Sequence, residues 1–292
     1  MSHAADEIAS QPASWRTALK VASTAPAGLP APGERVAVIG CGTSLYMAQS
    51  YAALREAAGH GETDAWPASE YPPHRRYDRV LAFTRSGTTT EVLAALAAVP
   101  AGVATTAVTA DPNTPVVDAA ADVLVLDFVD ERSVVQTRFP TALLLMLRAH
   151  LGEDVAGLPA LAELALAAPL PPNATAFRQY TFLGTGWTIG IANEAGLKNR
   201  EAAQAWAEAY PAMEYRHGPI SVADESSLIW VFGEPPVGLV EDVRRTGATV
   251  VVSVADPLVD LIRAQRLAVQ LAEARGLDPD RPRNLTRSII LT

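Results

Sequence analysis

From Arg35 onward the chain alternates short, β-rich apolar runs with longer Ala-rich runs of helical period. Residues 36–40 are followed by 45–58, and 80–84 by 89–98; 103–109 and 123–126 read as further strands, and 137–151 as a helix. Such alternation predicts parallel strands joined by crossover helices, an α/β layered sheet. The stretch 152–173 places Gly157, Pro159, Pro169, Pro171 and Pro172 around a short Ala/Leu run and reads as a connector. Beyond it the pattern restarts, with strands at 181–184, 228–232 and 249–254 and helices at 188–210 and 237–246.

The clearest internal echo sets 38–44 (Val-Ile-Gly-Cys-Gly-Thr-Ser) beside 182–188 (Phe-Leu-Gly-Thr-Gly-Trp-Thr), which predicts two similar half-units. The expected organisation is an N-terminal helical arm over 1–30, a first parallel-sheet subdomain over 31–155, a connector over 156–173, and a second subdomain with a C-terminal tail over 174–292. The arm is rich in Ala, Ser and Pro, has one amphipathic stretch at 14–22, and carries no readable chemistry.

Composition narrows the function classes. With 292 residues and 49% hydrophobic side chains, the chain buries one large core or two of roughly 150 residues each, and disorder is excluded. The 23 basic and 32 acidic residues give a formal charge of -9, which argues against wrapping nucleic acid. Anionic small molecules would have to be caught locally, by N–H groups and hydroxyls at helix starts. A single cysteine, Cys41, allows neither an internal disulfide nor a Cys-rich metal site, and the first thirty residues lack a signal-peptide pattern. The longest apolar run, 141–147, is far shorter than the roughly 20 residues of a membrane span. The expectation is a cytoplasmic protein with no membrane partner and no metal.

The Gly40-Cys41-Gly42 turn opens like a dinucleotide fingerprint, but Leu45 stands where the third glycine belongs, and Ile189 stands there in the second repeat. No nucleotide cofactor is expected. Hydroxyls follow the glycines instead: Thr43-Ser44 after the first strand, and Thr84-Arg85-Ser86-Gly87-Thr88-Thr89-Thr90-Glu91 after the next. A strand ending in Ser, Thr and Gly and opening into a helix gathers N–H groups and hydroxyls at the positive end of a helix dipole, where a phosphate monoester fits. The alternative is that these residues only cap helices and form turns.

Several segments together resemble the sugar isomerase (SIS) family: Gly40 to Ser44, Thr84 to Thr89, Leu197-Lys198-Asn199-Arg200-Glu201 through Ala207-Glu208-Ala209-Tyr210 to Arg216-His217-Gly218-Pro219, and Pro282-Arg283-Asn284-Leu285. Within that family the likeness is to the isomerase half of glucosamine-6-phosphate synthase. It implies two SIS-type, flavodoxin-like parallel-sheet subdomains in tandem. It further implies that Gly42, Thr43, Ser44, Thr84, Arg85, Ser86, Thr89, Val134 and Gln136 bind a sugar 6-phosphate, without any cofactor. Arg85 replaces a neutral glutamine of that synthase, so its guanidinium either adds bonds to the phosphate or pairs with a nearby acid on the surface.

By the same resemblance Glu201 is the base that moves a proton between C1 and C2, Lys198 precedes it, and His217 opens the sugar ring. Independently, Glu194, Lys198 and Glu201 lie at i, i+4 and i+7 on one helix face, either as an exposed ladder or as charges that need partners. A positioned carboxylate suits abstraction next to a carbonyl, and histidine both donates and accepts near neutral pH. His217 before Gly218-Pro219 also reads as a turn histidine satisfied by backbone. Arg287 stands where the family carries an imine-forming lysine; a guanidinium stays protonated and cannot form that bond, so Arg287 is expected to clamp a sugar oxygen instead.

The implied activity is C2 proton abstraction on a hexose or amino-sugar 6-phosphate. Reprotonation at C1 makes the enzyme an isomerase; loss of a C3 oxygen from an N-acetylhexosamine 6-phosphate makes it a lyase. A non-catalytic phosphosugar sensor is the alternative of another class. The resemblance also implies a homodimer in which His217 reaches the neighbouring subunit's substrate. The mixture of Trp206, Tyr210, Pro211, Met213 and Tyr215 around Glu208 and Glu214 suits such an interface.

Overall fold

The structure, a computed structural model, describes residues 2–291. Two helices open the chain, α1 (His3–Ala9) and α2 (Gln11–Ser23). There follow β1 (Val36–Gly40), α3 (Thr43–Ala57), β2 (Thr63–Pro67), β3 (Arg79–Phe83), α4 (Thr90–Ala97), β4 (Ala104–Thr109), α5 (Val116–Ala119), β5 (Asp122–Val125) and α6 (Arg138–His150). The remaining elements are α7 (Leu158–Ala167), β6 (Gln179–Gly184), α8 (Thr188–Ala203), β7 (Trp206–Pro211), β8 (Ser227–Phe232), α9 (Leu239–Arg245), β9 (Thr249–Val252) and α10 (Pro257–Ala274).

These elements form two compact units. One comprises residues 13–131, 138–156 and 285–291; the other comprises 2–12, 132–137 and 157–284. The expected boundaries ran consecutively along the chain, whereas these units exchange segments. The N-terminal arm is divided between them. In the first unit Trp15 is fully buried and its indole N–H donates to the Thr141 hydroxyl of α6 at 3.0 Å. In the second, the Asp280 carboxylate accepts the His3 and Ala4 N–H groups at the start of α1.

The first unit holds a five-stranded, fully parallel sheet in the order β2-β1-β3-β4-β5. This is a doubly wound order whose direction of winding reverses between β1 and β3, the place where such sheets bind ligands. Strands β1 and β3 are apolar runs because helices cover both faces. Helix α6 is buried along nearly its whole length, which is why its run from Phe139 to Leu147 is apolar on every side.

The second unit holds a four-stranded parallel sheet, β7-β6-β8-β9. The echo between the two glycine turns has a common physical cause. A Cβ on Gly40 would lie 2.8 Å from the Ser44 carbonyl carbon, and one on Gly184 would lie 2.2 Å from the Thr188 carbonyl oxygen. Both helices start so close to their strand that only glycine fits.

The predicted helix 188–210 is corrected. Helix α8 ends at Ala203 because Gln204 turns into the left-handed region, and its N–H caps the Arg200 and Asn199 carbonyls. Residues 206–211 then pair with β6 as a strand, Trp206 opposite Gln179. Strand β2 and the long helix α10 were not anticipated. Strand β2 is a half-exposed edge of sequence Thr-Asp-Ala-Trp-Pro, without an apolar run. Among the described residues no helix is long and apolar enough to cross a membrane.

Candidate functional site

In the first unit the hydroxyl-rich segments occupy the C-terminal ends of β1 and β3. Gly42 caps α3 with φ 54°, and Thr43 and Ser44 are buried in its first turn. After β3, Thr84 is tied to the sheet by its N–H on the Val108 carbonyl at 3.0 Å, and its hydroxyl accepts the Gly87 N–H at 3.2 Å. Gly87 has φ +63°, and a Cβ there would lie 1.9 Å from the Thr114 hydroxyl oxygen. The loop is therefore tightly wound. It presents Ser86 and Thr88, whose hydroxyls lie 3.2 Å apart, and Thr89, the N-cap of α4, whose side chain makes no capping bond.

The donors at this helix start are not all free, which corrects the simple picture of an open cradle. The tail lies along the start of α4: the Thr90 N–H donates to the Ile289 carbonyl at 3.1 Å, the Leu291 N–H donates to the Thr90 hydroxyl at 2.9 Å, and the Thr88 and Ser288 hydroxyls are 2.8 Å apart.

Arg85 is 1% exposed. Its guanidinium lies 3.9 Å from the fully buried Glu131 carboxylate and donates to the Arg287 carbonyl at 3.1 Å. It pairs with an acid, but in the interior and not on the surface. Glu131 also accepts the Arg138 N–H at the start of α6 at 2.8 Å. Arg287 itself donates to the Glu131 carbonyl and, at 2.5 Å, to the Asp130 carboxylate. Its guanidinium is thus engaged by an acid of its own unit. Sequence reasoning named neither Glu131 nor Asp130; both are ordinary acids in an irregular segment, with no pattern to mark them. Cys41, between the two turn glycines, is half-buried, and burial, followed by the nearby Glu91 carboxylate, pushes its thiol pKa up.

In the second unit α8 carries the charged face. Lys198 is 1% exposed, with its ammonium 2.5 Å from the Glu201 carboxylate and 3.5 Å from that of Glu194. Glu194 is fully buried and Glu201 is 18% exposed. The exposed-ladder alternative is excluded: Glu194 and Lys198 are buried as an ion pair, and the same ammonium reaches the partly exposed Glu201. His217 stands on another element, exposed at the end of a one-turn 3-10 helix (Glu214–His217) after β7. In the same segment Tyr215 is buried and Met213 is exposed; Trp206, at the other end of β7, is 70% exposed.

Val134 and Gln136 lie on a segment of the second unit. The Val134 N–H donates to the Asp280 carbonyl at 3.2 Å, and the Gln136 amide oxygen is a buried acceptor with no hydrogen-bond partner among the described residues. The second sheet's own winding reversal, at the ends of β6 and β8, opens on a cleft of 620 Å³ whose lining includes Trp187, Met213, Phe232, Pro236 and Val237. Its lining is mainly apolar, with Thr185, Thr188 and Glu234 as its polar side chains, and lacks the run of hydroxyls found after β3. Among the described residues no group of three or more His, Cys, Asp or Glu side chains is placed to hold a metal ion.

No family model matches the chain. In sequence it is similar to the isomerizing glutamine–fructose-6-phosphate aminotransferases of Gloeobacter violaceus and Thermus thermophilus, each 28% identical over 88% of this chain and 52% of the relative. The chain thus spans about half the length of the curated relatives it matches. In fold it is similar to glucosamine-6-phosphate deaminase from Thermotoga maritima (TM-score 0.87, 24% identity, 99% of this chain and 100% of that one). It is also similar to the C-terminal domain of glucosamine-fructose-6-phosphate aminotransferase from Francisella tularensis (TM-score 0.81, 20% identity, 97% and 98%). A third match is tagatose-6-phosphate ketose/aldose isomerase from Escherichia coli (TM-score 0.74, 18% identity, 96% and 95%). The chain is a sequence relative of the aminotransferases over half their length and shares one α/β fold with these three proteins.

Proposed function

We propose that the protein is a phosphosugar enzyme of the sugar isomerase type, built from two SIS-type subdomains in tandem, that abstracts the C2 proton of a hexose or amino-sugar 6-phosphate. The observation that carries this reading is the Glu201 carboxylate, partly exposed and held at 2.5 Å by a lysine that is itself buried. An acid so placed is oriented yet still open to a substrate, and a general base needs that reach to the proton it abstracts. Glu201 takes the C2 proton while the C1 carbonyl oxygen gains one, giving an enediol; delivery of a proton to C1 as the C2 hydroxyl gives up its own completes the aldose-ketose conversion. Lys198 orients the base, and His217 opens the ring. The names of the relatives, all enzymes of sugar 6-phosphates, support the substrate class.

The phosphate is assigned to Ser44, Thr84, Ser86 and Thr89 with the Gly42 and Thr43 backbone, and the sugar to Val134 and Gln136. A specific observation favours elimination as a second reading. Arg287 has no imine-forming amine, and its guanidinium is engaged by Asp130 and the Glu131 carbonyl. Amination or deamination through an enzyme imine is therefore not available to this residue. An N-acetylated sugar, which forms no such imine, would lose its C3 oxygen from the same carbanion. We further propose a homodimer sharing His217, which the exposure of Met213, four residues before it, supports.

The test is incubation with hexose, hexosamine and N-acetylhexosamine 6-phosphates in deuterated water, followed by NMR. Deuterium at C2 or C1 of recovered sugar, lost in Glu201→Gln, is the expected result, and the product distinguishes isomerase from lyase. Absence of exchange with every sugar would overturn the reading and leave the sensor alternative.

A further inference from the structure

We infer that Glu7, on the N-terminal helix, is a positioning residue for loop 132–137 and through it for Val134 and Gln136, the sugar contacts proposed above; the inference rests on that reading. Glu7 is 4% exposed. Its carboxylate accepts the Arg132 N–H at 2.5 Å and the Ser133 N–H at 3.3 Å, and the Ser133 hydroxyl lies 2.6 Å from it. Past the end of α1, at the first residue of α2, the buried Gln11 amide donates to Gln265 at 2.7 Å, and the Gln265 amide donates to the Thr137 carbonyl at 3.2 Å. Between these two anchors the Val134 N–H ends on the carbonyl of Asp280, the residue whose carboxylate receives the first N–H groups of α1 at 2.8 and 2.7 Å.

Loop 132–137 belongs to no helix or sheet, so its backbone N–H groups must find partners elsewhere. Three consecutive ones, at 132, 133 and 134, end on α1 or on the residue that anchors its start. A buried carboxylate accepting N–H groups makes charge-assisted bonds, stronger and shorter than neutral ones. The Gln136 amide oxygen, unpartnered among the described residues, is left as an acceptor suited to a sugar hydroxyl. The segment that carried no readable chemistry in the sequence is the support of this loop.

The test uses the full chain with Glu7→Gln, which keeps the shape of the side chain and removes its charge and one acceptor. Ser133→Ala carries the same readouts should Glu7→Gln fail to fold. Amide hydrogen exchange at 132–134 should rise by about tenfold or more while the amides of β1 and β6 keep their rates. Affinity for fructose 6-phosphate or glucosamine 6-phosphate in calorimetry should fall by about tenfold or more, with affinity for inorganic phosphate unchanged. Unchanged exchange, unchanged sugar affinity, or a parallel fall for sugar phosphate and inorganic phosphate would each overturn the inference. Should the wild-type protein bind no sugar phosphate at all, the proposed function falls, and exchange alone decides whether Glu7 fixes the loop.

Discussion

The Lys198 ammonium lies 2.5 Å from the Glu201 carboxylate and 3.5 Å from Glu194, so one buried cation serves two acids of different exposure. Removing it by Lys198→Met leaves the fully buried Glu194 without its lysine, and breaking a buried pair in this way costs about 3–5 kcal/mol. Urea unfolding should show that loss, and adding Glu194→Gln should recover part of it, because the two sites couple. Additive losses in the double variant would show that the pair does not act as a unit.

The two acids at 130 and 131 should behave differently. Glu131 and Arg85 are both buried, so Glu131→Gln is expected to cost about 3–5 kcal/mol. Asp130 and Arg287 are 41% and 38% exposed, and Asp130→Asn should cost less than about 1 kcal/mol. Denaturation midpoints of the two variants compare them directly.

Gly87 and Gly59 both have positive φ, but a Cβ on Gly87 meets Thr114 and one on Gly59 meets nothing within 4 Å. Gly59→Ala should cost only the left-handed penalty of about 1–2 kcal/mol. Gly87→Ala adds a collision that moves the loop, so it should lose more stability and also lose binding of inorganic phosphate in calorimetry.

Burial pushes the Tyr51 phenol pKa up to about 12. In the unfolded chain a phenol titrates near 10, so from about pH 10 to about pH 12 the unfolded state sheds a proton that the folded state keeps. This contribution to stability is whole below about 10 and is lost as pH rises through about 12. Tyr51→Phe should flatten the alkaline fall, read from urea unfolding at about pH 9 and about pH 11.

If His217 is shared between subunits, neither Glu201→Gln nor His217→Ala homodimers hold a working site, but mixed dimers hold up to one. Activity should return on mixing the two inactive proteins. Mixtures that stay inactive after subunit exchange has been demonstrated would exclude the shared site.

Strands β1, β3, β6 and β8 were legible because parallel strands buried between helices are written as continuous apolar runs. The glycine turns were legible because a helix that starts against its own strand excludes a Cβ. The charged face of α8 was visible from helical spacing alone, although its burial was not, since an exposed ladder and a buried one share the same period. Edge strands β2 and β7 escaped because an edge is half exposed and needs no apolar run: Trp206, the first residue of β7, is 70% exposed.

What the sequence by itself determined is therefore the layered α/β class, the hydroxyl-rich strand ends and the row of charges on one helix, all of them local consequences of periodicity and backbone geometry. Only the tertiary structure decided which partners those residues take. Arg85 meets Glu131, Arg287 meets Asp130, and Glu7 meets Ser133 across 126 residues of chain. Such pairs are chosen by the need of buried charges and unpaired N–H groups for partners, and that need is met wherever the fold brings a complement within reach, at no fixed distance along the chain.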